Sequence, residues 1–325
     1  MDLVESHREE LRFARGTVAR VLLALGFAFA VALPLAGPEW MVRCTMIAIT
    51  GVGVLGQNLI VGYTGQISFG QAGFLAIGAY SFAHLGRAGV PWLAALAGAG
   101  LAAALAGVGV GFPSLRLKGP YLAVATLGFG VAVYQLLANV ESLSGGRTGL
   151  SLPPFRPLFG LSRAASLYCV DLLLLGLFAV ATANLVSSYA GRAFMAIRDS
   201  EIAAEAMGVN LARTKLLAFA ISSFYTGVHG ALFAQFLGHL EPELFNLDEV
   251  LTQFVAITVG GLASVEGSIF GAAFVILVPA LFGGARGAVP VLFGAAILGV
   301  LIFEPGGLAG RLRKARLWLE SWPFR

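Results

Sequence analysis

Residues 189–215 read YAGRAFMAIRDSEIAAEAMGVNLARTK, a charged island between two apolar runs, and the rest of the chain is organised around it. Asp199 or Ser200 can cap a helix start, Glu201 falls in the first turn where the helix dipole favours an anion, and Gly208 can close the end. Asn210 can then cap the next helix. Between these signals Glu201 to Met207 make about two turns, roughly 10 Å at ~1.5 Å per residue. So short a helix buries little of itself. Ala203, Ala204 and Ala206 leave a smooth face onto which another protein can pack closely; an ordinary surface connection is the other reading.

Outward from the island, lipid is the expected solvent: 58% of the 325 residues are hydrophobic, 12% are charged, and mean hydropathy is +0.85. An apolar run of about 20 residues crosses a bilayer as a helix. Such runs fall at about 18–36, 41–61, 72–86, 90–111, 120–140, 166–188, 216–236, 250–263, 268–283 and 288–303. The expected fold is all-α, a polytopic helical membrane protein of about ten spans, or eight if two short segments are re-entrant. No domain boundary is visible, so residues 1–325 read as one transmembrane domain. The 43 glycines, many beside alanine, suit helices that pack backbone to backbone. No small-residue cleavage site follows the first run, which therefore reads as a retained helix. Cys44 and Cys169 are too few for a disulfide framework or a metal site.

Cytoplasmic loops carry the excess of Lys and Arg. With both termini inside, fifteen of the 21 basic residues lie on the side of the 189–215 island, and the acidic loop Glu241, Glu243, Asp248 and Glu249 lies outside. The net charge of +4 then reflects basic loops facing a lipid bilayer, not affinity for nucleic acid.

Two segments break the apolar pattern at membrane depth, Gly62–Gln71 (GYTGQISFGQ) and Gly260–Gly271 (GGLASVEGSIFG). GQISFG in the first is echoed by GSIFG in the second. Irregular backbone survives within a membrane only where protein or a water-filled cavity satisfies its polar groups. Paired glycine-interrupted segments point to an internal repeat with a permeation site between halves; chance similarity of glycine-rich turns is the alternative. No GxxxxGK[ST] phosphate loop occurs, so the chain has no such device for drawing energy from ATP. Intramembrane ionisable residues are scarce: Asp171 near the outer end of the sixth run, read as an interface residue, Glu266, and more weakly His84 and His229. Uncharged polar groups are better supplied, among them Gln57, Asn58, Gln135, Asn139 and Ser268. Candidate pathway residues are Gln66, Ser68, Gln71, Thr126, Ser264 and Glu266, a lining suited to a small neutral or zwitterionic molecule. Glu266 either lines the path or satisfies local backbone donors, and some of the others hold helices together.

The stretches GYTGQISFGQAGFLAIGAY (62–80), GPYLAVATLGFG (119–130), SGGRTGL (144–150), GRAFMAIRDSEIAAEAMGVNLARTKLLAF (191–219), GGLASVEGSIFGA (260–272) and FEPGGLAG (303–310) resemble the M-type permease subunits of branched-chain amino-acid ABC importers. The resemblance implies an ABC-importer permease in the bacterial inner membrane that is not itself an enzyme and binds no cofactor. It implies a homologous second permease, two cytoplasmic ATP-binding-cassette ATPases that use the ATP, and a periplasmic amino-acid binding protein. The 189–215 loop resembles the ATPase-docking loop of such permeases, with Arg198, Asp199, Glu201, Ala203, Ala204, Glu205 and Gly208 as its candidate residues. The general pattern there is Glu-Ala-Ala, three residues, Gly. Ala203, Ala204 and Gly208 keep the spacing, but Ile202 stands where the glutamate belongs and Glu201 lies one position earlier. Val131 replaces an acidic residue frequent after GFG, and the long N-terminal extension of some relatives is missing. Urea and short-amide permeases look alike, so the resemblance leaves the solute open.

Overall fold

The computed structural model describes residues 37–117, 119–155, 157, 160–281, 289–304 and 306–321. The expected span at 18–36 lies outside them, as do the four N-terminal arginines, Lys118, Arg156, Arg286 and Arg325.

Backbone groups in lipid must be satisfied within their own segment, and the apolar runs accordingly become helices. In chain order the helices, apolar or not, are α1 (Pro38–Asn58, continued by a π turn, Leu59–Tyr63), α2 (Gln71–Arg87), α3 (Trp92–Ser114), α4 (Pro120–Asn139) and the short α5 (Glu141–Ser144). They continue with α6 (Arg163–Ser187), α7 (Tyr189–Asp199), α8 (Glu201–Ala206), α9 (Leu211–Leu237), α10 (Leu247–Gly260), α11 (Val265–Leu281), α12 (Val289–Phe303) and α13 (Gly307–Ser321). Pro38 and Pro120 open α1 and α4 at positions where a missing N–H costs nothing.

Among the described residues five helices are long and apolar enough to cross a membrane by themselves: α1 with its π turn, α3, α4, α6 and α9. The other apolar runs give shorter pieces, 17 residues in α2 and α11, 15 in α12 and 14 in α10. At ~1.5 Å per residue these reach roughly 21–26 Å, short of a hydrocarbon layer of about 30 Å. Among the described residues the expected runs thus appear as five full-length helices plus shorter apolar segments, the shortest of which, α10, runs into the second break.

The core sits on α1 and α9. Of their most apolar 18 residues, 83% and 67% are buried, against 28–39% in α3, α4 and α6, whose exposed leucines and valines suit a lipid contact. The expected backbone-to-backbone packing occurs where α9 meets α2 and α3. A Cβ on Gly227 would lie 2.4 Å from Ala103 Cβ and 2.8 Å from Ala99 O, while one on Gly78 would lie 2.2 Å from Gly227 O. Backbone atoms cannot yield as side chains can. Gly227→Leu is therefore expected to cost about 3 kcal/mol, read as a lower thermal midpoint in detergent and loss of the monodisperse gel-filtration peak; an unchanged midpoint would refute this contact.

The loops pair by end as the alternation of spans requires. Segments 141–165 and 237–249, expected on one side, meet in a two-residue antiparallel strand pair, β1 (Leu150–Ser151) with β2 (His239–Leu240), in register Leu150↔Leu240. This small pair was not expected in an all-α chain. Phe245 folds in behind it, its ring 5.8 Å from Tyr80 on α2. At the opposite end lie both helix breaks, α7, α8 and the α12–α13 turn. In that turn Glu304 accepts from Lys314 at 2.6 Å, which holds its carboxyl below the usual range, and Arg311 lies at 3.6 Å.

Candidate functional site

The first break begins where α1 widens into its π turn, a feature that recurs at functional sites. Gln66 N donates back to Ile60 O at 3.0 Å, the Thr64 hydroxyl also donates to Ile60 O, and Gly65 turns the chain at φ +69°. Residues 65–70 are then non-helical until α2 starts at Gln71. The freed backbone finds partners on α4: Phe69 N donates to Thr126 Oγ1 at 2.9 Å, and Thr126 donates to Ala123 O at 3.0 Å. Gln71 joins the break to α9, accepting from Thr226 Oγ1 at 2.5 Å and donating to Ser222 Oγ at 3.4 Å. Ser68, Gln71 and Thr126 are fully buried; Gln71 and Thr126 bond across helices, and Ser68 Oγ accepts from Gly70 N within the break. Gln66 is buried too, and its Oε1 has no donor among the described residues.

The second break is shorter than the repeated motif suggested. Only Gly261–Ser264 leave helical geometry, because Ser264 Oγ accepts from Gly267 N at 3.0 Å and caps α11 before the GSIFG stretch begins. GSIFG is helical where its echo GQISFG is irregular, so the two motifs are not structural equivalents. Glu266, half-exposed in the first turn of α11, shares the electrostatic surroundings of the Tyr63 hydroxyl with Arg198.

Asn58 ties the two breaks together. Its Nδ2 donates to Ser268 Oγ at 2.8 Å, Ser264 O at 2.9 Å and Gly261 O at 3.3 Å, and its Oδ1 accepts from Ala263 N at 2.9 Å. Ala263, at φ +55°, is the one non-glycine among the described residues held in the left-handed region. Phe69 and Phe254 add an edge-to-face contact at 5.5 Å. Nothing in the sequence marked Asn58 as more than one polar residue at the end of an apolar run.

The charged island folds as its capping signals suggested. Ser188, Ser200 and Asn210 each accept from the backbone N–H three residues on, opening α7, α8 and α9; of Asp199 and Ser200, the serine is the cap. Gly208, at φ +84°, closes α8, with Val209 N donating to Ala204 O at 3.0 Å. Of the expected alanine face Ala203 and Ala206 are exposed, but Ala204 is 3% exposed and turns into the protein, while Ile202 and Met207, 82% and 85% exposed, project outward with Glu205. Glu201 also turns inward, to buried Lys215 at 2.6 Å. Arg198 pairs with Asp199 at 3.1 Å and donates to Gly62 O at 3.4 Å, so α7 touches the first break directly.

The remaining ionisable candidates lie elsewhere. His84 Nε2 is 2.7 Å from Leu143 O near the strand-paired end, and His229 is buried on α9 against Phe233. Asp171, expected as an interface residue, sits two turns inside α6, 2% exposed, with Oδ2 unpartnered. A buried polar oxygen left without a hydrogen-bond partner costs about 1–3 kcal/mol. Asp171→Asn is therefore expected to raise the thermal midpoint and leave transport intact; a lower midpoint would show that the carboxylate has a stabilising partner.

Comparison with known proteins meets this geometry. The family model described as "Branched-chain amino acid transport system / permease component" matches residues 41–304. The high-affinity branched-chain amino acid transport system permease protein LivM of Escherichia coli is 35% identical over 317 residues, covering 90% of this chain and 73% of that protein. The protein of the same name from Salmonella typhimurium is 35% identical over 290 residues, covering 81% and 68%. A probable branched-chain amino acid transport permease protein LivM of Methanocaldococcus jannaschii is 24% identical over 212 residues, covering 60% and 61%. No solved structure matches the chain. The chain belongs to this family of permease components: it is a multi-pass helical membrane protein and a permease subunit of an ATP-binding-cassette importer, a transport subunit and not itself an ATPase.

Proposed function

We propose that the chain, as one transmembrane domain, carries branched-chain or related hydrophobic amino acids inward across a bacterial inner membrane, paired with a homologous permease. Two cytoplasmic ATPases drive it, and a periplasmic binding protein delivers the solute. The α7–α8 end is cytoplasmic, with both termini on that side. The carrying observation is the bond from Arg198 to Gly62 O, by which the charged island reaches the first helix break. An ATPase seated on Ile202, Met207 and Glu205 of α8 would move α7 with it, and α7 bears on the segment from which α2 starts. Nucleotide binding then favours one of two packings of the bundle. The pathway runs beside the breaks, with Ser264 and Glu266 as its most accessible polar groups.

The assembled importer in liposomes, with binding protein outside and ATP inside, tests the solute. Labelled leucine should accumulate and be displaced by isoleucine and valine but not by urea or acetamide. Displacement by urea at least as strong as by isoleucine would transfer the reading to the amide permeases.

A further inference from the structure

The apolar helix α12 ends in exposed Ile302 and Phe303, and α13 begins four residues beyond Phe303, at Gly307. Four residues span at most roughly 14 Å, so α13 starts beside the lipid that α12 faces. Its inner side is fixed by close backbone approach. A Cβ on Gly307 would lie 2.6 Å from Gly261 Cα, and one on Gly261 would lie 3.2 Å from Ala309 Cβ, which seats the first turn of α13 on the second break. Ala309 and Gly310 are accordingly buried.

The outer side is different. Leu308 and Leu312, one turn apart, share a face and are 38% and 43% exposed. Cations stand around them. The sequence from 304 to 321 holds Arg311, Arg313, Lys314 and Arg316 against Glu304 and Glu320, two more positive charges than negative. Glu304 engages Lys314 at 2.6 Å and Arg311 at 3.6 Å, whereas Arg313 is exposed and has no ion-pair partner among the described residues. Basic residues by themselves would follow from the general bias of membrane loops, and single exposed leucines are common on any surface. A leucine pair beside an unneutralised arginine at the membrane edge calls for a partner that is apolar and anionic at once. The interface of a bilayer containing anionic phospholipid is such a partner, with acyl chains for the leucines and phosphates for the guanidinium.

We propose that α13 binds anionic phospholipid, with Leu308 and Leu312 at the acyl boundary and Arg313 on the headgroup phosphates. The binding is independent of the solute carried. Through the contact of Gly307 with Gly261 it bears on the second break, so lipid composition biases how the α10–α11 hairpin packs.

The test places a bimane label on Leu312→Cys, in a Cys169→Ser background that leaves only buried Cys44, in the purified full-length chain in nanodiscs. Phosphatidylglycerol and phosphatidylcholine, each brominated in the upper acyl chain, are compared as quenchers at equal mole fraction, with iodide as the quencher from water. Lipid quenching and shielding from iodide are expected, with phosphatidylglycerol favoured by about tenfold or more. Arg313→Gln should lower that preference by about fivefold, and Arg313→Lys should retain it, which separates charge from misfolding. Equal quenching by the two lipids, an unaltered preference in Arg313→Gln, or free access of iodide would overturn the proposal. A label shielded from lipid and iodide alike, or lipid quenching lost when the ATPases are added, would mean that protein covers this face and would also overturn it.

Discussion

Gly208→Val is expected to leave the permease inserted and assembled yet to lower ATP-driven uptake by ~5–30-fold. A Cβ at this position would meet nothing within 4 Å, so the effect is conformational and not steric crowding. Gly208 stands at φ +84°, which a β-branched L-residue adopts only at a cost of about 1–2 kcal/mol. α8 has six residues and a single closing turn, so it cannot absorb the strain along its length. The turn must open instead, and Ile202 and Met207 leave the outward positions proposed above to meet the ATPase. Gly208→Asn, whose side chain tolerates the left-handed region, should retain most of the uptake. ATP hydrolysis measured on the same samples separates uncoupling from misfolding. Normal uptake by Gly208→Val would remove α8 from the drive train.

The second large effect falls on Asn58. Asn58→Leu deletes the two amide N–H donors shared among Ser268 Oγ, Ser264 O and Gly261 O, together with one accepted bond, and leaves Ala263 N–H without its partner. Each buried group so orphaned costs about 1–3 kcal/mol, and a loss of about 3–5 kcal/mol is expected in total. Leucine also meets the close approach of Gly62, whose added Cβ would lie 2.5 Å from Ala263 N. Without the brace Ala263 has no reason to remain left-handed, and the α10–α11 hairpin should loosen from α1. The checks are a lower thermal midpoint and faster proteolysis at 261–264, with α7–α8 protected as in the parent. Unchanged proteolysis would show that packing such as Phe69 on Phe254 suffices to hold the hairpin.

Much of this architecture was legible because lipid imposes simple rules. The apolar runs at 120–140 and 216–236 became Pro120–Asn139 and Leu211–Leu237, each end within a few residues of its polar or proline boundary. The capping residues of the charged island were read equally well, since Ser200, Gly208 and Asn210 act on backbone groups only a few residues away. Long-range relations were not legible. Asn58 finds its partners 203–210 residues along the chain, and no local period announces such a bond. The inward turn of Ala204 and Glu201 depends on Lys215 and the bundle beneath α8, which a two-turn helix cannot specify for itself. The GSIFG echo misled because helix state there follows from one cap, Ser264, and not from the motif. Several residues of the polar belt are hydrogen-bonded within the protein, as a broken helix in lipid must satisfy its own backbone.

The most direct test compares the chain reconstituted alone in liposomes, under imposed proton and sodium gradients, with the chain reconstituted beside its partner permease, ATPases and binding protein. The account predicts no leucine uptake in the first case and uptake that requires internal ATP in the second. Gradient-driven uptake by the chain alone would contradict it.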